Sequence, residues 1–188
     1  METKVILISG KAGSGKDTLG KALKKVYIAK GVPDEKIRIV HFADLLKYIA
    51  REYFEWDGVK DEIGRDILQN IGTDVIRAKE PDFWVDFIKK MLTLFEGYWD
   101  YVIIPDARFP NEISKMKESF PAVSIRVERD FDTCLNKDQL THASETALDD
   151  EEFDLYFKNS FDNISDLQKY VFEEFIYEIE RYFRLKAE

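Results

Sequence analysis

A glycine-rich segment near the N-terminus constrains the fold more than any other part of this sequence. It reads Gly10-Lys11-Ala12-Gly13-Ser14-Gly15-Lys16 and has the spacing of a phosphate-binding loop. Residues 5–8 form an apolar, β-branched run typical of a strand, and apolar residues recur with helical spacing from 19 to 27. The loop therefore lies between a strand and a helix, and this context predicts an α/β fold that binds a polyphosphate.

The chemistry of this loop follows from its residue types. Glycines adopt backbone conformations that let successive N–H groups point inward at a polyphosphate, and the following helix adds its positive N-terminal end. Lys16 is predicted to reach the β and γ phosphates of a nucleoside triphosphate. For Lys11 and Ser14, ordinary turn filling is as good an interpretation as specific contact.

The residues after Lys16 depart from the general pattern. Asp17 stands where Ser or Thr is usual, and Thr18 follows one position later. Either side chain can face a magnesium ion, directly or through water. We favour Thr18, because a carboxylate inside the loop would repel the phosphates, and we expect Asp17 to lie in the first turn of the helix, stabilised by the helix dipole.

Strands and helices are predicted to alternate along the rest of the chain. Further strands are expected at residues 37–42, 99–104, 122–127 and 153–157, and the run at 99–104 is expected to end at Pro105-Asp106. Helices are expected at 45–53, 62–78, 81–95 and 111–119, and a final amphipathic helix follows residue 163. The core face of this last helix is predicted to hold Ile164, Leu167, Val171, Phe175, Ile179 and Phe183. The alternation indicates a parallel sheet with right-handed crossovers.

Composition excludes several classes of protein. The 28 Lys and Arg residues against 37 Asp and Glu give a net charge of −9, which argues against a general surface for duplex nucleic acid but permits a small basic pocket. The one cysteine, Cys134, cannot form an intramolecular disulfide. No stretch approaches the roughly 18 apolar residues of a membrane span, and the N-terminus lacks signal-peptide features, so we expect a cytoplasmic protein. A length of 188 residues predicts one domain.

Polar side chains follow two of the predicted strands, at the edge where ligands of open parallel sheets bind. Asp106 is placed to hold magnesium through water or to bind the phosphoryl acceptor, and Arg108 can clamp a phosphate. Alternatively, Asp106 and Arg108 form an ion pair with each other. Asp44 either caps the helix that follows it or contributes to the acceptor site together with Lys47, one turn later.

A glycine interrupts the predicted helix at 62–78. A glycine inside a helix costs about 1 kcal/mol relative to alanine, and its presence at Gly72-Thr73 suggests the close approach of a base or sugar. Arg77 is then either a ligand of the acceptor phosphate or an ordinary surface arginine in the last turn of the helix.

The polar segment 128–150 has no sustained periodicity and is predicted to be a long functional loop. Such a segment can close over a transferring phosphoryl group and exclude water. Arg126 and Arg129 at its entry can stabilise charge in the transition state. We expect His142 to be solvated rather than catalytic, and Ser144 and Glu145 to be either acceptor ligands or a helix-capping pair.

Taken in order, these motifs resemble the phage-type deoxynucleoside monophosphate kinases. The likeness covers residues 5–163, and in this family the Asp17-Thr18 departure is the usual pattern. The same outline is also similar to animal-type phosphomevalonate kinases and, more distantly, to dephospho-CoA kinases. The resemblance rests on the Gly15-Lys16-Asp17-Thr18 ending of the loop, Phe42-Ala43-Asp44 with Lys47, Leu68-Gln69 with Gly72-Thr73 and Arg77, Asp106 with Arg108 and Asn111-Glu112, and His142 with Ser144-Glu145.

The resemblance implies a P-loop kinase that forms a single domain over residues 1–188. It implies a three-layer α/β fold with a five-stranded parallel sheet in the order 2-3-1-4-5, a helical acceptor-binding region at 43–97 and a lid at 128–150. The implied reaction is Mg²⁺-dependent transfer of the γ-phosphoryl group of ATP to a deoxynucleoside monophosphate. The alternatives are a kinase of a non-nucleotide phosphate ester and a nucleotide-binding switch without kinase activity. The aromatic-rich final helix indicates either a homodimer or wide burial within one chain.

Each candidate residue then has an expected role. The expected acceptor-binding residues are Asp44, Lys47, Gly72, Arg77, Asp106, Arg108, Ser144 and Glu145. The donor nucleotide is expected at residues 10–18, with Mg²⁺ at Thr18 and Asp106, and the expected catalytic residues are Lys16, Arg108, Arg126 and Arg129. The basic side chains of this set are expected to form one focused positive cleft on an otherwise acidic surface.

Overall fold

The computed structural model describes residues 2–129 and 141–187 of the chain. Cys134 and the middle of the predicted lid lie outside the described residues. The strands are β1 (Lys4–Ser9), β2 (Ile37–Ile39), β3 (Tyr101–Ala107), β4 (Ala122–Glu128) and β5 (Leu155–Lys158). The helices are α1 (Lys16–Ala29), α2 (Ala43–Phe54), α3 (Glu62–Gln69, continued as a π-helix over Asn70–Arg77), α4 (Phe83–Leu94), α5 (Pro110–Ser119), α6 (Ala143–Thr146) and α7 (Ile164–Tyr170, a π-helical stretch at Val171–Phe175, then Ile176–Ala187).

The strands form one parallel sheet in the order β2-β3-β1-β4-β5, which confirms the predicted order. β1 lies at the centre of the sheet, with Ile6 level with Ile103 of β3 and Val123 of β4. All three side chains are fully buried, as expected for strands that are covered on both faces. The phosphate-binding loop therefore leaves the sheet from its central strand.

Helices cover both faces of the sheet. Alternate residues of a strand point to opposite faces, so Val5 and Leu7 of β1 pack in one apolar core with residues of α2, α4 and α5. Ile6 and Ile8 pack in a second core with residues of α1 and α7. The predicted three-layer α/β fold is confirmed, and the layer formed by α2 to α5 faces the phosphate-binding loop.

Two strand ends differ from the sequence prediction, and both differences shape the site. β2 ends at Ile39 rather than Phe42, because the chain turns away from the sheet there to begin α2. β3 continues through Pro105 to Ala107 rather than ending at Pro105. Proline lacks the N–H that pairs neighbouring strands, and it is tolerated here because β2 makes its last pairing opposite Ile103.

The final helix begins where predicted, after Asn163, whose side chain accepts a hydrogen bond from the N–H of Asp166. Five of the six residues predicted for its core face are buried, and the exception is Ile164, which is 60% exposed in the first turn. Ile176, absent from the prediction, is also buried, because the π-helical stretch before it shifts the apolar face by part of a turn. Within the described ranges, no helix is both long and apolar enough to cross a membrane.

Candidate active site

The loop between β1 and α1 has the backbone that its glycines predict. Gly10 and Gly15 have φ angles of 150° and 101°, in the region that side chains rarely adopt. A Cβ at Gly10 would lie 2.5 Å from the carbonyl oxygen of Val127. Asn159, which follows β5, donates from its side-chain amide to the Ser14 carbonyl at 2.7 Å. The loop is therefore held in place by both its own glycines and the neighbouring strands.

Lys16 lies inside this loop. Its ammonium donates to the carbonyl oxygens of Gly10 and Lys11, each at 2.7 Å, and only 8% of the residue is exposed. Burial, with a smaller contribution from the nearby Arg108, lowers the pKa of Lys16 to about 8. The charged form is thus poorly solvated and its two hydrogen bonds go to neutral carbonyls, so a bound phosphate would favour the charged form of Lys16.

A cavity of about 480 Å³ opens beside the loop, bounded by α2, α3, the end of β3 and the start of α6. It brings together most of the predicted site residues, although they come from distant parts of the chain. Those that line it are Ala12, Gly13, Lys16, Asp17, Lys47, Gly72, Arg77, Asp106, Arg108, Ser144 and Glu145. Of the six cations expected to form one positive cleft, four line this cavity, namely Lys16, Lys47, Arg77 and Arg108.

The other predicted residues do not line the cavity. Arg126 donates to the Ser9 hydroxyl at 3.1 Å and pairs with Asp149 at 3.2 Å, and Arg129 lies on the surface. The remaining ones are Gly10, Lys11, Ser14, Gly15, Thr18 and Asp44. The expectation that all six cations share one cleft was therefore too broad, because Arg126 is bound to Ser9 and Asp149 and Arg129 is exposed.

Arg77 is not a surface arginine. Its guanidinium forms a 2.6 Å ion pair with Glu112 and lies over the ring of Phe109, 3.9 Å from the ring centroid. Glu112 also accepts hydrogen bonds from the backbone N–H groups of Arg108 and Phe109. Burial raises the pKa of Glu112, and the Arg77 charge opposes that rise. This pair ties the end of α3 to the start of α5 across the base of the cavity.

Among the described residues Arg108 pairs with Glu145 and not with Asp106, so the alternative in which Asp106 and Arg108 form an ion pair is not observed. The same Glu145 carboxylate accepts a 3.0 Å hydrogen bond from the backbone N–H of Ala12 in the phosphate-binding loop. The Arg108 guanidinium also donates to the Ser144 carbonyl at 2.9 Å. Helix α6 is thereby attached to the loop through one buried carboxylate.

The capping residue of α6 is His142, which corrects two expectations. Its Nδ1 accepts a hydrogen bond from the N–H of Ser144 at 3.2 Å, so Ser144 and Glu145 are not a capping pair. The ring is mostly buried and lies 3.5 Å from Asp74, so His142 is not simply solvated. Its described contacts are those of a structural residue at the start of a short helix.

Asp106 determines where α2 begins. Its two carboxylate oxygens accept hydrogen bonds from the N–H groups of Phe42 and Ala43, at 2.9 and 3.1 Å. Asp44 lies in the first turn of α2 and accepts a hydrogen bond from the N–H of His41 at 2.9 Å, so it does not cap the helix as the alternative for this residue expected. Asp44 also holds Lys47 at 3.1 Å, so the ammonium of Lys47 is oriented from within its own helix.

Gly72 has a packing reason that the sequence did not reveal. A Cβ at this position would lie 2.6 Å from the side chain of Leu46 on α2, and the Gly72 carbonyl accepts a 3.0 Å hydrogen bond from the indole of Trp84. The expectation that Gly72 marks the approach of a base or sugar is therefore not needed to explain the glycine. The absence of a side chain at Gly72 allows α2 and the π-helix to lie close together, and Gly72 also lines the cavity.

His41, Lys60 and Arg65 also line the cavity and were missed from sequence. The imidazole of His41 joins Asp17 at 3.0 Å to Asp44 at 3.3 Å, and so connects α1 to α2. The signal for His41 was its position near the end of the predicted second strand, at the same sheet edge as Asp44. Lys60 and Arg65 had no comparable signal, because they follow a turn whose direction the sequence pattern does not specify.

The magnesium prediction concerns Asp17, Thr18 and Asp106. Asp17 and Asp106 line the cavity and Thr18 does not, so the cavity favours the alternative in which Asp17 faces the ion. The described residues include no group of three or more His, Cys, Asp or Glu side chains that could hold a metal. Mg²⁺ in phosphoryl-transfer sites is usually held by one or two carboxylates together with substrate phosphates and waters, and the carboxylates present fit that kind of site.

We expect the His41 bridge to make stability depend on pH. Hydrogen bonds to Asp17 and then to Asp44 raise the pKa of His41 from 6.5 to about 9. Its contribution should be fully present below pH 6.5 and disappear as the pH rises through 9. Without nucleotide or metal, the native protein should be more stable than His41→Gln at pH 6 and equally stable near pH 10, as measured by urea unfolding. A difference that does not change with pH would contradict this assignment.

The fold and the loop together define the class of protein, which is that of α/β proteins with a phosphate-binding loop. Three solved structures share this fold. The APS kinase of Mycobacterium tuberculosis in complex with AMPPNP and APS has a TM-score of 0.53 and 12% identity, with 95% of this chain and 98% of that chain covered. A gluconokinase from Sinorhizobium meliloti has a TM-score of 0.52 and 16% identity, with 98% of this chain and 95% of that chain covered. The thymidylate kinase of Ehrlichia chaffeensis has a TM-score of 0.50 and 9% identity, with 94% of this chain and 100% of that chain covered.

The particular family is given by sequence. The family description "Deoxynucleotide monophosphate kinase" matches residues 33–171, and the chain belongs to this family of phosphotransferases. A search of curated proteins gave no match. The matched range begins after the phosphate-binding loop and includes α2 to α6, so the match is independent of the loop motif that first suggested polyphosphate binding.

Proposed function

We propose that the protein transfers the γ-phosphoryl group of ATP, in the presence of Mg²⁺, to a deoxynucleoside monophosphate and releases the diphosphate and ADP. The observation that carries this proposal is the cavity of about 480 Å³ that joins the phosphate-binding loop to a cation-lined wall. Lys16 lies on the loop side, and Lys47, Arg77 and Arg108 lie around the remaining wall. The family assignment supports a nucleotide as the acceptor.

The transfer needs positioning and charge neutralisation rather than a covalent enzyme intermediate. An oxygen of the acceptor phosphate forms a bond to the γ-phosphorus while the bond from that phosphorus to the β–γ bridging oxygen breaks, and the electron pair leaves with ADP. Lys16 would contact the donor phosphates, and Arg108 would contact the transferring group. Arg126 and Arg129 remain predictions for transition-state charge, and both lie outside the cavity.

Mg²⁺ would be held at Asp17 or Thr18 and at Asp106, together with the donor phosphates. When bound, it would supply positive charge to the phosphate oxygens. Asp106 already uses both carboxylate oxygens to hold the first N–H groups of α2, so it would connect the metal to the start of the acceptor-binding region.

The organisation we propose is one domain over residues 1–188, with an acceptor-binding helical region at 43–97 and a lid at 128–150, in a cytoplasmic enzyme. The described part of the proposed lid includes α6, which is attached to the loop through Glu145. Phe172 and Tyr177 of the final helix are 43% and 55% exposed, which leaves a homodimer through this helix open as a second part of the proposal.

The test is a panel of acceptors with ATP and Mg²⁺. Purified protein is incubated with each deoxynucleoside and ribonucleoside monophosphate, with phosphomevalonate and with dephospho-CoA, and the products are separated by ion-exchange chromatography. We expect a diphosphate from at least one deoxynucleoside monophosphate. Transfer only to phosphomevalonate or dephospho-CoA would replace the proposed acceptor, and slow ATP hydrolysis that no acceptor accelerates would contradict a kinase function.

A further inference from the structure

Most cations that line the cavity already have an acceptor within the protein. Lys16 donates to two loop carbonyls, and Lys47 pairs with Asp44. Arg77 pairs with Glu112, and Arg108 with Glu145, while Arg65 donates to the Lys60 carbonyl. The ammonium of Lys60 differs from these, because no hydrogen bond or ion pair is made by it within residues 2–129 and 141–187.

The turn that carries Lys60 is rigidly built. The indole of Trp56, 5% exposed, donates to the Val59 carbonyl at 2.9 Å, and Asp57 accepts from the N–H of Val59 at 2.8 Å. On the other side of Lys60, Asp61 caps α3 through the N–H of Gly64 at 2.8 Å. Both neighbours of Lys60 are thus fixed.

Gly64 explains how the turn can lie so close to the helix. A Cβ at Gly64 would overlap the Val59 carbonyl oxygen, and it would lie 2.7 Å from the Trp56 indole nitrogen. Only glycine allows this contact, and the contact holds Lys60 against the cavity.

The charges around Lys60 favour an anion. Lys60 is exposed as a whole, but partial desolvation of its ammonium, and then the charge of Lys47, lower its pKa, and Arg108 acts in the same direction. Asp17 and Asp106 oppose this effect. A phosphate dianion between Lys60, Lys47 and Arg108 would remove the repulsion among the three cations, and ammonium groups with free N–H donors are frequent phosphate ligands.

We propose that Lys60 binds the phosphate of the acceptor nucleotide in this cavity, an inference that rests on the proposed function. This assignment differs from the expectation for Arg77, whose guanidinium is already paired with Glu112. Lys60 needs to give up no partner within the described structure in order to bind a phosphate.

Steady-state kinetics on Lys60→Gln test this proposal. We expect KM for the acceptor to rise at least tenfold, because a charge-assisted contact is lost, while KM for ATP changes less than twofold. Lys60→Arg should recover part of the acceptor affinity. Lys90→Gln, at an exposed position of α4, is the matched control and should change neither constant. An unchanged acceptor KM in Lys60→Gln, or an equal rise in both constants, would overturn the proposal.

A binding measurement separates this proposal from the proposed function. Calorimetry compares a deoxynucleoside monophosphate with the deoxynucleoside that lacks the phosphate, on the native protein and on Lys60→Gln. We expect the phosphate to strengthen binding to the native protein at least tenfold and to have a much smaller effect in the variant. If the native protein forms no diphosphate yet shows this pattern, the proposed function fails and the phosphate site stands. If the phosphate strengthens binding equally in both proteins, the site fails.

Discussion

Replacing Lys16 with alanine is expected to reduce phosphoryl transfer about a thousandfold, the effect of losing one charged donor from a preorganised site. The Lys16 ammonium lies inside the loop that would bind the donor nucleotide, 2.7 Å from the Gly10 and Lys11 carbonyl oxygens. No other side chain of the loop supplies a buried positive charge in its place. The measurement is kcat and kcat/KM with saturating acceptor.

The same substitution should not weaken the fold. Burial lowers the pKa of Lys16 to about 8, so folding at neutral pH works against the charged form of this side chain, and its removal relieves that cost. We therefore expect a melting temperature equal to or above that of the native protein. Lys21→Ala, at an exposed position of the same helix, is the control and should change neither activity nor stability. Full activity in Lys16→Ala would contradict the assignment of the loop.

Replacing Glu112 with alanine is expected to produce the largest loss of stability, about 3–5 kcal/mol, because it leaves a buried partner charge unpaired. Glu112 is 2% exposed and is bonded to the guanidinium of Arg77 and to the backbone N–H groups of Arg108 and Phe109. One substitution therefore removes the acceptor for three donors. For a protein of this size, the melting temperature should fall by roughly 6–20 °C.

Two further variants show whether the charge pair is responsible. Glu118→Ala changes an exposed glutamate on the same helix and should have little effect on the melting temperature. In the double variant Arg77→Met with Glu112→Met, neither charge is left unpaired, so its stability should exceed that of Glu112→Ala. A double variant less stable than Glu112→Ala would show that the backbone contacts, rather than the ion pair, determine stability here.

The parts of the fold that depend on local pattern could be predicted from the sequence. The loop motif, the apolar runs of β1 and β3 and the alternation of strands and helices predicted a parallel sheet, and the family resemblance supplied the strand order that the structure confirms. The end of β2 could not be predicted, because it depends on Asp106, a residue more than sixty positions later that binds the N–H groups of Phe42 and Ala43. Local hydrophobicity continues through Phe42 and contains no sign of that partner.

The site was predicted less completely for the same reason. Position at the end of a strand correctly placed Lys16, Asp106 and Arg108 beside one cavity. The partners of charged side chains were not predictable, since Arg77 pairs with a residue 35 positions away and Arg108 with one 37 positions away. Lys60 was missed because its direction depends on the tight contact between Gly64 and the turn, and a single glycine in a sequence does not reveal what approaches it.

The Glu145 carboxylate has a consequence for how any phosphate binds near the loop. It already gives a negative partner to both the Ala12 N–H and the Arg108 guanidinium. A phosphate that binds these two donors must displace the Glu145 carboxylate from them. The binding free energy measured there is then the difference between the binding of phosphate and the binding of the Glu145 carboxylate to the same donors, rather than the full attraction of the loop for phosphate. Strong hydrogen-bond donors at this place are therefore compatible with rapid release of the product.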